Sequence, residues 1–215
     1  MSTHGDEAAA GRAVSDGAGG VFRIMGIDPG LATGGFGVVD QVMPGRVLEC
    51  VACGEFKSKP DVALPERLAR LAAWLREALD AHQPHAVAVE EMFFALNVRT
   101  AVQMAHGRGV VLLVAAERGL PVHEYSALSI KQSVAGYGRA TKEQVQAMVM
   151  RSLKLAAAPS SDHASDALAV ALCHAASRRH PAMAQLIEAR AESMGQNSRR
   201  RGRSAWRRFK PGGEG

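Results

Sequence analysis

Aromatic side chains are scarce in this chain of 215 residues, where Phe, Trp and Tyr together make up 5% although 47% of the residues are hydrophobic. The core is therefore predicted to be aliphatic and rich in alanine. No apolar run approaches the roughly 20 residues that cross a bilayer, which argues against a membrane protein. The length suits one globular domain with appendages.

Cysteine is also scarce, at positions Cys50, Cys53 and Cys173. The spacing of the first two is that of a metal or redox pair, but a zinc site needs a second ligand pair and none lies nearby. If both belong to one strand, their side chains are predicted to point to opposite faces of the sheet. We interpret all three as small core residues of a protein from the reducing cytoplasm.

Both ends of the chain differ in composition from its centre. Residues 1–21 are rich in Gly, Ala and Asp and lack the apolar segment of a secretory signal, so they are predicted to be a disordered extension. Residues 182–215 carry eight basic and three acidic residues, and this surplus equals the net charge of +5. With Trp206 and Phe209 interleaved, this basic flexible tail suits loose contact with phosphates and bases or a purely solubilising role.

The central region reads as an α/β domain. Apolar stretches predict strands at 22–28, 34–39, 46–56, 86–90 and 121–125. Periodic stretches predict helices from Pro65, at 98–118, 129–135, 142–155 and 161–178, and Thr141 with Gln144 has the spacing of a capping box. Short connections make the first three strands antiparallel, and right-handed crossovers place the last two parallel to the first. The result is a mixed five-stranded sheet of order 3-2-1-4-5, with helices on both faces.

Two acidic residues lie where strands of this predicted sheet end. Asp28 precedes Pro-Gly, and Glu90 ends the run Ala-Val-Ala-Val before Glu91. The first and fourth strands are predicted neighbours, which brings Asp28 and Glu90 together. Taken alone, Asp28 could instead be a turn aspartate that accepts hydrogen bonds from nearby amides, which is the commoner role of Asp before Pro-Gly. Strand alternation sends only one of Glu90 and Glu91 inward, and two adjacent acids repel unless a cation offsets them.

A third cluster lies at the start of the last predicted helix. His163 and Asp166 are three residues apart and share a helix face, as Asp162 and Asp166 nearly do. Asp162 could instead cap the helix, and His163 could be a core histidine. Asp28, Glu90, His163 and Asp166 are our candidate metal ligands, with Asp162 as the alternative to His163.

Four motifs in order resemble the RuvC family of Holliday-junction resolvases. They are Gly26-Ile-Asp-Pro-Gly30 with Thr33-Gly-Gly-Phe-Gly37, the stretch from Val87 to Asn97, the stretch from Lys131 to Val145, and Asp166-Ala-Leu-Ala-Val170. The resemblance spans about residues 22–178 and implies a RuvC-like nuclease domain at 22–181 with a ribonuclease H-like fold. Four motifs in sequence are far more specific than any one of them.

The resemblance implies catalytic and metal-binding roles for Asp28, Glu90, His163 and Asp166. Family members carry Asp or His at the position of His163. It further implies hydrolysis with two Mg²⁺ or Mn²⁺ ions per active site, giving 5′-phosphate and 3′-hydroxyl ends. Because imidazole suits Mn²⁺ better than Mg²⁺, His163 leads us to expect stronger support by Mn²⁺.

DNA contacts are also implied by resemblance. Lys131 and Lys142 match family lysines beside the DNA backbone, and Phe93 matches an aromatic that stacks on bases at the crossover. Phe94 is an alternative to Phe93, and Arg99, Arg108 and Arg139 are further candidates for phosphate contacts. The alternative for Lys131 and Lys142 is that they are ordinary solvated lysines.

Paired symmetric nicks in a four-way junction need two active sites related by a two-fold axis, so a homodimer is expected. The helix 98–114 is its candidate interface, with Gly107 and Gly109 permitting close approach. The family further implies partnership with the RuvA–RuvB branch-migration complex in DNA recombination and repair, and a cytoplasmic, nucleoid-associated location.

Three other functions share part of this pattern. Actin-like ATPases and sugar kinases also open with a Gly-Ile-Asp turn, but they need two domains and a second phosphate loop. A nuclease that acts on other branched or flapped DNA is a function closer to Holliday-junction resolution. A junction-binding scaffold without activity is disfavoured, because buried acids without a cation are costly.

Overall fold

The computed structural model describes residues 20–42, 47–91 and 98–179, with the side chains of residues 98–100 excepted. The ten elements within these ranges are β1 (Val21–Asp28), β2 (Thr33–Val42), β3 (Val47–Lys57), α1 (Leu64–His82), β4 (Ala86–Glu90), α2 (Val98–Glu117), β5 (Val122–Tyr125), α3 (Ala127–Ala135), α4 (Lys142–Ser152) and α5 (Asp162–Arg179). The basic tail and nearly all of the N-terminal extension lie outside the described residues, except that Val21 belongs to β1.

The strands form one mixed sheet of order β3-β2-β1-β4-β5, which confirms the predicted α/β fold. β1 pairs antiparallel with β2 and parallel with β4, so it is the central strand. The predicted capping box at Thr141 and Gln144 is present at the start of α4. Within the described residues no helix is both long enough and apolar enough to span a membrane.

Strand alternation divides the core between the two faces of the sheet. Ile24 and Ala88 pack with α3, α4 and α5 on one face, called here the α5 face. Met25 and Val87 pack with α1 and α2 on the other. Each face buries aliphatic side chains, which accounts for a stable core with few aromatic residues.

The approach of α5 to the sheet is unusually close, because glycines on the strands face it. A methyl group added at Gly26 would lie 2.0 Å from the carbonyl oxygen of Ala167, and one at Gly37 would lie 2.6 Å from the side chain of Leu168. Real side-chain carbons do not approach so near, so β1 and β2 must carry glycine where α5 crosses them. Both helix residues are fully buried.

A β-bulge in β3 overturns one expectation about the cysteines. Val38 pairs with Ala52 and Val39 pairs with Cys50, so that Val51 is skipped. The extra residue resets the side-chain alternation. Cys50 and Cys53 therefore both pack, half buried, against the α5 face, and not on opposite faces as predicted. Burial raises the pKa of both thiols, which keeps them in the less reactive protonated form.

His174 is a buried titratable group near the end of α5. It is 3% exposed, and its Nδ1 lies 2.7 Å from the hydroxyl oxygen of Tyr125. Among the described residues its Nε2 has no hydrogen-bond partner. Burial, and to a smaller degree the charges of His123 and Arg178, lowers the pKa of His174 to about 3.

We expect this histidine to destabilise the fold in mild acid. Because its pKa is lower in the folded than in the unfolded chain, its contribution to stability is complete above about pH 6.5 and is lost as the pH falls towards about 3. The loss between pH 7 and pH 5 is about 2 kcal/mol. Urea unfolding at both pH values should show a smaller decline for His174→Gln than for the wild type. The exposed His106→Gln variant should decline like the wild type, and equal declines in all three proteins would contradict the prediction.

Candidate metal centre at the carboxyl ends of β1 and β4

Two of the predicted ligands lie at neighbouring strand ends. β1 and β4 run parallel, with Gly26 opposite Ala88 and Ile27 opposite Val89. Continued by one step, this register sets Asp28 beside Glu90. The carboxyl ends of adjacent parallel strands are a common place for a functional site in an α/β sheet.

The same alternation that builds the core decides which face these side chains occupy. Gly26 faces α5 and Ala88 packs on the α5 face, so Asp28 and Glu90, each two residues further along, belong to that face as well. Glu91 is exposed. Of the two adjacent glutamates, the sheet therefore turns Glu90 towards α5.

The first turn of α5 completes the cluster. Asp28 pairs with Gly35 of β2, and a methyl group at Gly35 would lie 2.4 Å from the carbonyl oxygen of His163. This missing side chain is what allows the start of α5 to lie over Asp28. The cap of the helix is Ser161, whose hydroxyl accepts a hydrogen bond from the amide of Ala164 at 3.2 Å. The capping role considered for Asp162 is therefore taken by Ser161.

Three of the four predicted ligands come together. Asp28, His163 and Asp166 each offer a ligand atom within 4.8 Å of the others. The shortest contact joins Nδ1 of His163 to Oδ2 of Asp28 at 2.6 Å. Glu90 is not a member of this group, although the charges of Asp28 and Asp166 act on its carboxyl group.

The electrostatics of the site reflect crowded negative charge. Burial is the main cause that raises the pKa of Asp28, and the charge of Asp166 adds to it, while His163 and Lys142 act in the opposite direction. Burial, reinforced by the charges of Asp28 and Asp166, raises the pKa of Glu90 to about 7 despite the opposing charge of Lys131. Both carboxyl groups thus bind protons more tightly than free ones do, which is the response of acids that are buried together without enough positive charge.

This donor set fits a divalent cation. Carboxylate oxygens suit Mg²⁺ and Mn²⁺, and imidazole is accepted by Mn²⁺. Two ligand atoms on opposite sides of an ion, each about 2.1 Å from it, are about 4.2 Å apart. The ligand atoms of Asp28, His163 and Asp166 lie within 4.8 Å of one another, so they would have to move together only slightly to hold one ion. A cation would also offset the burial and the repulsion that raise the two pKa values.

The predicted DNA-binding residues are only partly within the described chain. Lys131 on α3 is half buried, and its charge opposes the rise in the pKa of Glu90. Lys142 at the start of α4 forms an ion pair with Asp166 at 3.1 Å. Arg139 is exposed between α3 and α4. Phe93, with the alternative Phe94, and the side chain of Arg99 lie outside the described residues.

Two residues of α2 support the site in ways that sequence reasoning missed. Arg108 forms an ion pair with Glu124 and donates a hydrogen bond to the backbone carbonyl of Glu90 at 2.9 Å. It is engaged inside the protein, which argues against the phosphate contact considered for it. A methyl group at Gly107 would lie 2.5 Å from the carbonyl oxygen of Pro29, so this glycine admits the Asp28 turn and is not a surface for a partner. No sequence motif marks either residue.

The sheet order, with acidic residues at the ends of β1 and β4 and on α5, is that of a ribonuclease H-like nuclease. A family model described as crossover junction endodeoxyribonuclease RuvC matches residues 24–174. The chain therefore belongs to the RuvC family, and it is an enzyme of the nuclease class.

Individual relatives agree. RuvC of Chloroflexus aggregans is 48% identical over 72% of this chain and 93% of its own length, and RuvC of Pelotomaculum thermopropionicum is 49% identical over 71% and 92%. The structure of Thermus thermophilus RuvC in complex with a Holliday junction substrate superposes with a TM-score of 0.69 at 39% identity, covering 74% of this chain and 95% of that one. The yeast mitochondrial resolvase Ydc2, at 13% identity and a TM-score of 0.55, shares the fold.

The raised pKa of Glu90 predicts that this residue weakens the metal-free fold. Since its pKa is higher in the folded than in the unfolded chain, its contribution to stability is most favourable below about pH 4.5 and is lost as the pH rises through about 7. With a chelator present at pH 8, Glu90→Gln should raise the free energy of unfolding by up to about 3 kcal/mol. The gain should vanish near pH 4.5. The exposed Glu91→Gln variant is the matched control, and a gain of the same size there would contradict the assignment.

Proposed function

We propose that this protein resolves Holliday junctions by paired symmetric nicks, in homologous recombination and DNA repair. The observation that carries the proposal is the gathering of Asp28, His163 and Asp166 beside Glu90, in a chain of the RuvC family. The Thermus relative bound to a Holliday junction supports the choice of substrate.

The site residues divide the work by their position. Asp28 lies between His163 and the neighbouring strand end of Glu90, so its carboxylate would help to hold the proposed two Mg²⁺ or Mn²⁺ ions. Such ions, when bound, supply the Lewis acidity that activates water and offsets charge on the leaving 3′-oxygen, giving 5′-phosphate and 3′-hydroxyl ends. Glu90, His163 and Asp166 complete the ligand set. The hydrogen bond from the His163 imidazole fixes the orientation of the Asp28 carboxylate.

DNA binding is proposed for the basic residues around this cleft. Lys131 and Lys142 carry positive charge to within electrostatic reach of Glu90 and Asp166, where each would neutralise one phosphate near the scissile bond. Arg139 extends the basic surface, and Arg99 is proposed as a further phosphate contact. Phe93 is proposed to stack on an unpaired base at the crossover. Association with RuvA–RuvB and with the nucleoid is proposed from family membership.

A homodimer is proposed with α2 at its interface. Val102 and Leu113 of α2 are 48% and 57% exposed, a large fraction for apolar side chains. Gly109, at helical spacing from both, has open space where a side chain would be. Another helix could approach closely there, whereas Gly107 serves the protein's own Asp28 turn.

Light scattering of the DNA-free protein at about 10 µM should give twice the mass of one chain. Because an ammonium group in a tightly packed apolar interface is costly, Leu113→Lys should shift the protein towards monomer. The exposed Leu64→Lys variant, on α1, is the matched control and should remain dimeric. A wild-type monomer at this concentration would contradict the dimer, and a dimer of Leu113→Lys would contradict the interface.

The central test compares substrates and one catalytic variant. With Mn²⁺, the wild type should nick a synthetic mobile four-way junction far faster than linear duplex or flap DNA. Asp28→Asn should cut at least about 10³-fold more slowly, because it removes the charge of a carboxylate that would hold the metal, but it should still bind the junction in a gel-shift assay. Retained cutting by Asp28→Asn would disprove the site. Preferential cutting of flap DNA would disprove the substrate, and products that ligase cannot seal would disprove the proposed ends.

A further inference from the structure

Lys142 is shared between two aspartates of different character. Its Nζ lies 3.1 Å from Oδ2 of Asp166 and 3.1 Å from Oδ2 of Asp162. Asp166 belongs to the group of candidate metal ligands, whereas Asp162 does not. One ammonium group therefore connects a carboxylate of the site to a carboxylate outside it.

Asp162 is held in place from the opposite side. Its Oδ1 accepts a hydrogen bond from the side-chain amide of Gln146 at 3.0 Å. Gln146 and Lys142 are four residues apart on α4 and so share one face of that helix. These two contacts hold the Asp162 carboxylate between two side chains of α4. A side chain that is 68% exposed would otherwise sample many rotamers.

The Lys142 ammonium and a divalent cation compete for Asp166. While Lys142 holds Oδ2 of Asp166, that oxygen is partly neutralised and less available as a ligand. Lys142 must give up this contact before both oxygens of Asp166 are available to a cation. If Asp166 were its only partner, breaking the ion pair would cost free energy and would weaken cation binding. A second carboxylate, already in contact, removes that cost.

We propose that Asp162, held by Gln146, is the anchor that retains Lys142 when Asp166 binds a divalent cation. Asp162 is then a positioning residue, and it is neither a metal ligand nor a substitute for His163. The anchor keeps the ammonium beside the cleft, where the proposed function requires a positive charge for the phosphate. The inference rests on the proposed function only in that the cleft takes a cation.

The test is calorimetric titration of Mn²⁺ into the DNA-free protein, compared between single and double variants. Asp162→Asn should weaken Mn²⁺ binding about two- to fivefold, the range expected for an exposed ion pair, because Lys142 then depends on Asp166 alone. Lys142→Met should bind Mn²⁺ at least as tightly as the wild type. In the Lys142→Met background, Asp162→Asn should have no further effect, because the competing ammonium is gone.

Each other outcome overturns the anchor. Weaker binding by Asp162→Asn that persists in the Lys142→Met background would make Asp162 a ligand or a distant source of charge. Unchanged binding by Asp162→Asn would leave it without a role at the site. Glu143→Gln removes a fully exposed carboxylate from the same region and is the charge control, so an equal loss there would also overturn the proposal.

The Gln146→Ala variant tests the same proposal independently, and the titration separates it from the proposed cleavage activity. Gln146→Ala should weaken Mn²⁺ binding in the same direction but less than Asp162→Asn, and no change at all would remove the supporting role of Gln146. The titration needs no cleavage, so it can succeed if the chain cuts a different DNA. Conversely, junction cutting that depends on Asp28 with no effect of Asp162 on Mn²⁺ binding would refute the anchor alone.

Discussion

The close contact between α5 and the sheet is the constraint on which the rest of the structure depends. Gly26 and Gly35 leave room for the backbone of α5 at distances that no side chain would tolerate. The first contact lies in the core and the second lies at the site, two residues apart in register across β1 and β2. Packing density in the core and geometry at the site thus both depend on side chains that are missing where α5 crosses the sheet. A side chain at either position would push α5 away from the sheet.

This tight arrangement has an electrostatic cost. Asp28 and Glu90 lie on a half-buried face next to Asp166, and their pKa values rise in consequence. The positive groups nearby, Lys131 and Lys142, offset only part of the repulsion. A site of this kind is incomplete as a set of protein groups, and a cation of suitable size restores the balance. The features that make the metal-free fold less stable are therefore those that give it affinity for a metal.

The sequence carried some of these features in short-range patterns and left others to tertiary structure. The sheet order followed from connection lengths and handedness, and the meeting of Asp28 with Glu90 followed from that order. Helical spacing joined His163 to Asp166. The bulge at Val51 inserts one residue without any marker in sequence, so the faces of Cys50 and Cys53 could not be predicted. The support of Glu90 by Arg108 likewise depends on how α2 packs, which no local pattern encodes.

The hydrogen bond between Asp28 and His163 joins residues 135 positions apart. This separation determines when the site can form during synthesis of the chain. During translation at about 5–20 residues per second, Asp28 is made roughly 10 s before the helix that must lie over it. Until then the strand ends carry two acids with no imidazole beside them, and the group that could hold a cation does not exist. A ribosome-bound fragment that lacks α5 therefore has no assembled candidate metal site. The order of synthesis thus delays the formation of this site until the domain is whole.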